Sequence, residues 1–130
     1  MHRLFAKLHI MTTNQSGNLF ERMELLYGKE TVNLLSGKTV MIVGIGGVGG
    51  YAAELIVRSG VGNIIIIDGD TVEEGNINRQ IIATHSTVGR YKVDVMKARM
   101  LSINPDVKVN ARKCKLLWKY SKIYWLDNVS

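Results

Sequence analysis

The segment 40–70 constrains the fold of this chain more than any other. It reads VMIVGIGGVGGYAAELIVRSGVGNIIIIDGD. The β-branched run at 39–43 predicts a buried strand, and apolar residues at helical spacing over 48–59 predict a helix. Four consecutive isoleucines at 64–67 predict a second strand that is buried on both faces. This βαβ unit predicts an α/β fold built on a parallel sheet.

A glycine-rich turn joins the first strand to the helix, with the spacing Gly44-x-Gly46-x-x-Gly49. Glycine tolerates the positive φ of a tight turn and lets a phosphate approach the free N–H groups of a helix N-terminus. Asp68 follows about twenty positions later, at the end of the second strand, where an acid can accept hydrogen bonds from a ribose. We therefore predict a three-layer, Rossmann-like nucleotide-binding fold. The alternative is a plain tight turn between strand and helix.

Two basic residues follow the second strand. Arg79, just past the carboxyl edge of the predicted sheet, can reach the phosphate of a bound nucleotide or pair with Glu73 or Glu74. Lys92 lies in the first turns of a helix predicted over 87–103, where the helix dipole disfavours a cation unless it faces solvent or a negatively charged ligand. Because positioned cations stabilise charge spread over a triphosphate, this pair favours ATP over NAD.

Composition excludes some classes of protein and leaves others open. The chain has 46% hydrophobic and 22% charged residues, which is typical of a globular protein with a buried core. No apolar run is long enough to span a membrane, so no membrane partner is expected. One cysteine, Cys114, excludes an internal disulfide and predicts a reducing, cytoplasmic location. The net charge of +6 favours polyanions, but it lies mostly at the two ends and is weak evidence for RNA binding.

Two short helices are predicted before the first strand, one over 19–28 that ends at Gly28 and one over 29–35 that is closed by Gly37. Arg22 lies on the polar side of the first helix, where the pattern alone predicts a solvated arginine. The histidines lack partners at metal-ligand spacing, so the residues themselves predict no metal site. A further strand is predicted where apolar residues alternate: Val107, Val109 and Ala111.

Six short motifs occur in an order that resembles a known family. They are GIGGVG at 44–49, SGVG at 59–62, IDGD at 67–70, NINRQ at 76–80, TVGRYK at 87–92 and INP at 103–105. The order resembles the ubiquitin-activating-like adenylyltransferases, the ThiF/MoeB/HesA family, from about Leu19 to about Asn110. The FERMELLYG opening and the NINRQI form are most similar to the tRNA threonylcarbamoyladenosine dehydratase branch (TcdA/CsdL-like).

This resemblance implies a set of nucleotide-binding residues. They are Gly44, Gly46, Gly47, Gly49, Asp68, Asp70, Asn76, Arg79 and Lys92. Within the set, the resemblance implies that Gly47 contacts the nucleotide through its backbone and that Asp68 binds the ribose. Asn76 and Arg79 would hold phosphates, and Lys92 would neutralise the triphosphate.

The resemblance also implies an activity. Arg22, Arg79 and Lys92 are the implied catalytic residues, with Arg22 reaching across a homodimer interface into the partner's ATP site. A substrate carboxylate would attack the α-phosphate of ATP, with Mg²⁺ as an implied cofactor, to give an acyl-adenylate and pyrophosphate. In the dehydratase branch that carboxylate belongs to threonylcarbamoyladenosine in tRNA, which then closes into a ring with loss of water.

Other functions stay open at this point. One is adenylation of the C-terminus of a ubiquitin-like sulfur-carrier protein. Another is an inactive remnant that binds nucleotide or forms a dimer. An NAD-linked oxidoreductase is the least favoured, because it leaves Arg79 and Lys92 without a role.

The resemblance divides the chain into three parts: a disordered extension at 1–18, an incomplete ATP-binding Rossmann-like domain at 19–111 and an atypical tail at 112–130. Members of the family continue into a strand that ends in a magnesium-binding aspartate. The tail contains Asp127, but no buried strand of that kind is predicted before it. We therefore predict a truncation or a frameshift, or alternatively an RNA-binding tail with aromatics among cations. Missing strands would leave a sheet edge and an apolar face exposed. Whether such a chain is active is left open.

Overall fold

The computed structural model describes residues 17–115, 117 and 120–126. Residues 1–16 of the predicted extension lie outside the described part of the chain, and so does Asp127. In chain order, the elements of the described part are α1 (Glu21–Tyr27), α2 (Lys29–Ser36), β1 (Thr39–Val43), α3 (Gly47–Arg58), β2 (Asn63–Ile67), a 3₁₀ turn (Glu74–Asn76), α4 (Lys92–Ile103), β3 (Lys108–Arg112) and β4 (Lys122–Leu126). None of the described helices is long and apolar enough to cross a membrane.

The four strands form one sheet in the order β3-β2-β1-β4. The first three are parallel, and β4 runs antiparallel to β1. The chain steps from β1 to β2 to β3 in one direction, and right-handed crossovers then place both connecting helices on the same face. The predicted α/β class and the parallel βαβ unit are confirmed.

One face of the sheet carries the core. Ile42 and Ile66 are fully buried there against Ala53 of α3 and Met96 of α4. On the opposite face of β2, alternate residues such as Ile65 are only half-buried. The prediction that β2 is buried on both faces is therefore wrong, because both crossover helices pack on the other side.

Helix α4 begins later than the sequence pattern predicts. Residues 87–89 form a turn, Tyr91 makes an isolated antiparallel bridge with Thr71, and the helix starts at Lys92. Gly89 has a φ of +88°, which a right-handed helix excludes. The Thr87 hydroxyl donates to the Ile82 carbonyl at 2.7 Å and so holds the preceding loop in its non-helical form. The shift places Lys92 in the first position of the helix.

The tail contributes the fourth strand, which the sequence analysis missed. All five residues of β4 pair with β1, from Lys122 opposite Val43 to Leu126 opposite Thr39. The run KIYWL is rich in β-branched and aromatic residues, which favour strands. β4 covers the edge of β1 and is itself an outer strand of the sheet, on which Ile123, Tyr124 and Trp125 are exposed.

Glu54 joins the two helices that cover the sheet. This buried carboxylate on α3 accepts two hydrogen bonds from the Arg99 guanidinium of α4, one of them from Nη2 at 2.9 Å. It also pairs with Arg58 one helical turn away, at 2.9 Å. The hydrogen bonds from Arg99 hold the pKa of Glu54 below its ordinary value of 4.5, against the opposing effect of burial.

Replacing Glu54 with Gln should lower the free energy of unfolding by about 2 kcal/mol near pH 7, since charged hydrogen bonds of this kind contribute about 1.5–3 kcal/mol. Because folding lowers the pKa of this carboxyl group, its stabilisation is complete above pH 4.5 and is lost as the pH falls through the lower folded-state pKa. Urea unfolding of Glu54→Gln and of the unsubstituted chain should therefore converge in acid.

Asp94→Asn is the matched control, since Asp94 pairs with Lys113 at 2.9 Å in an exposed setting. This substitution should cost less than about 1 kcal/mol. Equal unfolding free energies for Glu54→Gln and the unsubstituted chain at pH 7 would show that the helix-to-helix ion pair is not stabilising.

Candidate functional site

The glycine-rich turn lies at the carboxyl end of β1. Gly44 has a φ of +92°, and its N–H donates to the Ile67 carbonyl of β2 at 2.8 Å. A Cβ on Gly49 would lie 1.8 Å from the Gly44 carbonyl oxygen, so only glycine fits where the helix crosses the turn. Helix α3 begins at Gly47. Its first N–H groups have no partner within the helix, and with the helix dipole they favour an anion.

Asp68 holds this turn from the end of β2. Its buried carboxylate accepts the Ile45 N–H through Oδ2 and the Asp70 N–H through Oδ1, both at 2.7 Å. A carboxylate has about four lone-pair positions, so it can still accept hydrogen bonds from a ligand. Asp68 thus fixes the turn, and its predicted contact with a ribose stays a prediction.

The turn borders a cleft of about 410 Å³ at the carboxyl edge of the sheet. Parallel α/β sheets bind ligands at this edge. The cleft brings together predicted and unpredicted residues: Gly44, Gly46, Gly47, Val48, Asp68, Asp70, Gln80, Lys92, Lys115, Tyr120 and Ser121.

Lys92 supplies a cation to the cleft. The residue is only 7% exposed, and its backbone N–H donates to the Asp70 carbonyl at 3.0 Å. Within the part of the chain that the structure describes, the ammonium group makes neither a hydrogen bond nor an ion pair. Lys92 shares the cleft with the carboxylates Asp68 and Asp70, and its role toward phosphate stays a prediction.

Gln80 is a cleft residue that the sequence analysis missed. It is 8% exposed, and its Oε1 is the buried side-chain atom of the described residues that lacks a hydrogen-bond partner. Such an atom is costly unless a ligand or a water satisfies it. The available signal was its place as the last residue of the NINRQ motif.

Two predicted phosphate-binding residues lie beside the cleft rather than in it. Asn76 is buried, and its Oδ1 accepts the Glu73 N–H at 2.9 Å, which closes the 3₁₀ turn. The Arg79 guanidinium donates to the Gly75 carbonyl and to Asn78 Oδ1, each at 2.9 Å, and not to Glu73 or Glu74. The roles of Asn76 and Arg79 toward phosphate stay predictions.

The remaining candidates lie away from the cleft. Arg22 is exposed on α1, a helix that buries none of its residues. Cys114 and His85 are exposed. Over the described residues, no group of three or more His, Cys, Asp and Glu side chains is placed to hold a metal ion.

Comparison with known proteins connects this geometry to a family. The sequence profile of the ThiF family matches residues 20–120. The chain belongs to the ThiF family. The family match confirms the resemblance that the six motifs indicate. The relatives described next confirm that this resemblance is greatest to the dehydratase branch.

Three ThiF-family relatives illustrate the match. The tRNA threonylcarbamoyladenosine dehydratase of Bacillus subtilis (strain 168) is 52% identical over 94 residues, which are 72% of this chain and 37% of that protein. The adenylyltransferase and sulfurtransferase uba4 of Pyricularia oryzae is 43% identical over 82 residues, or 63% of this chain and 17% of that protein. The crystal structure of E. coli TcdA, a tRNA N6-threonylcarbamoyladenosine dehydratase in complex with ATP, matches with a TM-score of 0.73 and 40% identity, over 75% of this chain and 40% of that one.

Replacing Asp68 with Ala should lower the free energy of unfolding by about 2 kcal/mol, because two backbone N–H groups lose a charged acceptor. Hydrogen exchange should also speed up at the amides of Ile45 and Asp70. Asp70→Ala is the matched control, since it keeps both backbone hydrogen bonds and should leave stability and exchange nearly unchanged. Unchanged exchange at the Ile45 amide in Asp68→Ala would contradict the role of Asp68 as the anchor of the turn.

Proposed function

We propose that this ThiF-family chain binds ATP in the glycine-turn cleft and serves the adenylation of a carboxylate. The observation that carries the proposal is Lys92, a largely buried residue whose ammonium group makes no hydrogen bond or ion pair within the described residues, in a cleft that also receives the N-terminus of α3. The two features supply positive charge from different elements. A triphosphate is the ligand that uses both.

Different residues of the cleft would bind different parts of the nucleotide. The N–H groups of Gly47 and Val48 and the Lys92 ammonium would hold phosphate oxygens. Asp68, still able to accept hydrogen bonds, would take a ribose hydroxyl, and Gln80 Oε1 would accept from a hydroxyl or an amino group of the nucleoside. ATP is also bound by the E. coli relative in its crystal structure, which supports this ligand.

The chemistry needs positioning more than it needs acid–base catalysis. A substrate carboxylate is ionised at neutral pH, so no general base is required for it to attack the α-phosphorus. A bond forms between the carboxylate oxygen and that phosphorus, the bond to the bridging oxygen breaks, and pyrophosphate leaves. Lys92 and the α3 N-terminus would stabilise the charge on the transferred and departing phosphates.

We propose that Arg79 and Asn76 contribute to this mechanism only after ATP has bound. The Arg79 guanidinium contacts two neutral acceptors at the surface, and a phosphate is a stronger acceptor for it. We propose that Arg79 turns to the triphosphate when ATP binds, while Asn76 holds the loop from which it turns. Magnesium has no assigned place, because the described residues include no group of three or more His, Cys, Asp and Glu side chains that could hold a metal ion.

The substrate we propose is threonylcarbamoyladenosine in tRNA. It is supported by the 52% identity to the B. subtilis dehydratase and by the match to E. coli TcdA. Adenylation of a sulfur-carrier protein is the second candidate, supported by the similarity to uba4. The chain spans 37% of the length of the B. subtilis enzyme, so the whole reaction and the partner that carries the substrate are proposals for the protein to which these residues belong.

A homodimer is the assembly we propose. Val48, Tyr51 and Leu55 form an apolar stripe on α3 and are 77%, 52% and 68% exposed. A second copy would cover this stripe and bring Arg22 of α1 toward the partner's cleft. Sedimentation should show a dimer that Leu55→Asp dissociates, whereas Leu101→Asp on α4 should not. A monomeric unsubstituted chain would contradict the proposal.

Replacing Lys92 with Ala should weaken ATP binding at least about tenfold, because a charged contact with phosphate is lost. Isothermal titration should show ATP binding in the unsubstituted chain and in Lys97→Ala, a matched control that removes an exposed lysine from the same helix. NAD should bind weakly. Tight NAD binding, or ATP binding that is indifferent to Lys92, would overturn the adenylation proposal.

Pyrophosphate release then distinguishes the two substrates. Release that depends on tRNA carrying threonylcarbamoyladenosine, and not on unmodified tRNA, supports the first. Release that depends on a carrier protein with a free C-terminus supports the second. ATP binding without release in either mixture would favour the remnant that binds nucleotide and has no activity.

A further inference from the structure

The tail lines the cleft through three residues that lie outside the six sequence motifs. Lys115, Tyr120 and Ser121 all border the same space as Lys92 and Gln80. We propose that the tail forms one wall of this cleft and that Lys115 is a second phosphate-binding cation. This inference rests on the proposed binding of ATP.

Two contacts fix the tail at the cleft. The Ser121 hydroxyl donates to the Gly44 carbonyl at 3.0 Å, and β4 starts at the next residue and pairs with β1 along its whole length. Earlier in the tail, the backbone at Lys115 packs closely against Gly69, just after the end of β2. The contact is so close that a Cβ added to Gly69 would lie 2.8 Å from the Lys115 backbone nitrogen. The tail is thus held to both strands whose ends border the cleft.

The lysines of the tail differ in how they are engaged. The Lys113 ammonium pairs with Asp94 at 2.9 Å and lies 4.3 Å from the centre of the Tyr91 ring. Within the described part of the chain, the Lys115 ammonium makes no hydrogen bond and no ion pair. Lys115 is therefore available to neutralise the negative charge of a ligand, whereas Lys113 is already paired with Asp94 of α4.

The charges of the cleft favour this role. The lining of the cleft includes two carboxylates, Asp68 and Asp70, so Lys92 alone does not give the cleft a positive charge. A triphosphate brings about four negative charges to the site, and one lysine together with a helix N-terminus neutralises only part of them. Lys115 supplies additional positive charge, and Gln80 Oε1 offers a ligand a buried hydrogen-bond acceptor that has no partner among the described residues.

The test compares Lys115→Ala with Lys108→Ala in titrations with ATP and with adenosine. Both substitutions remove one exposed lysine, but Lys108 begins β3 and so lies at the opposite edge of the sheet. Lys115→Ala should weaken ATP binding about tenfold and leave adenosine binding unchanged, because only the phosphates meet the ammonium group. Lys108→Ala should change neither.

Each outcome decides a different claim. Equal ATP binding by Lys115→Ala and the unsubstituted chain overturns the tail inference and leaves the proposed function standing. Absence of ATP binding in the unsubstituted chain overturns both. Lys115→Arg keeps the charge and should restore ATP binding, whereas equal loss in Lys115→Arg and Lys115→Ala would overturn the role of the charge. Thermal unfolding of each variant confirms that the comparison is made on folded protein.

Discussion

The carboxylate of Asp68 is the interaction on which the cleft depends. It stands at the end of β2 and receives one N–H from the glycine turn after β1 and another from its own loop. The same turn is tied to β2 by the hydrogen bond from Gly44 to Ile67. The two strand ends and the start of α3 are therefore held as one unit, which presents the first N–H groups of the helix to the cleft in a fixed direction.

The chemistry of the cleft follows from the topology of the sheet. Parallel strands bring their carboxyl ends to one edge, and the crossovers return helices that begin at this edge. Lys92 is the first residue of α4, so the fold places a cation where the helix dipole does not favour one. Lys92 makes no ion pair within the described residues, and the negative charge of the ligand that we propose would stabilise it there.

The features of the cleft that depend on local sequence patterns could be predicted from the sequence. The features that depend on contacts between distant parts of the chain could not. The glycine turn, Asp68 and Lys92 were predictable because spacing along the chain fixes their positions at strand and helix ends. Gln80 was missed because its burial depends on the packing of an irregular loop. β4 was missed because its partner, β1, lies about eighty residues earlier and a short apolar run does not reveal its pairing. The orientation of Arg79 depends on rotamers, which no pattern specifies.

The most direct test of the central claim is a residue-resolved one: amide chemical shifts of the chain recorded during titration with ATP. If the turn held by Asp68 is the phosphate site, the backbone amides of Gly47 and Val48 and the side-chain amide of Gln80 should shift together, with one saturation curve. The amides of β3 at the far edge should not follow. Shifts confined to other surfaces, or no shift at Gly47 at saturating ATP, would contradict the assignment of this cleft to a nucleotide.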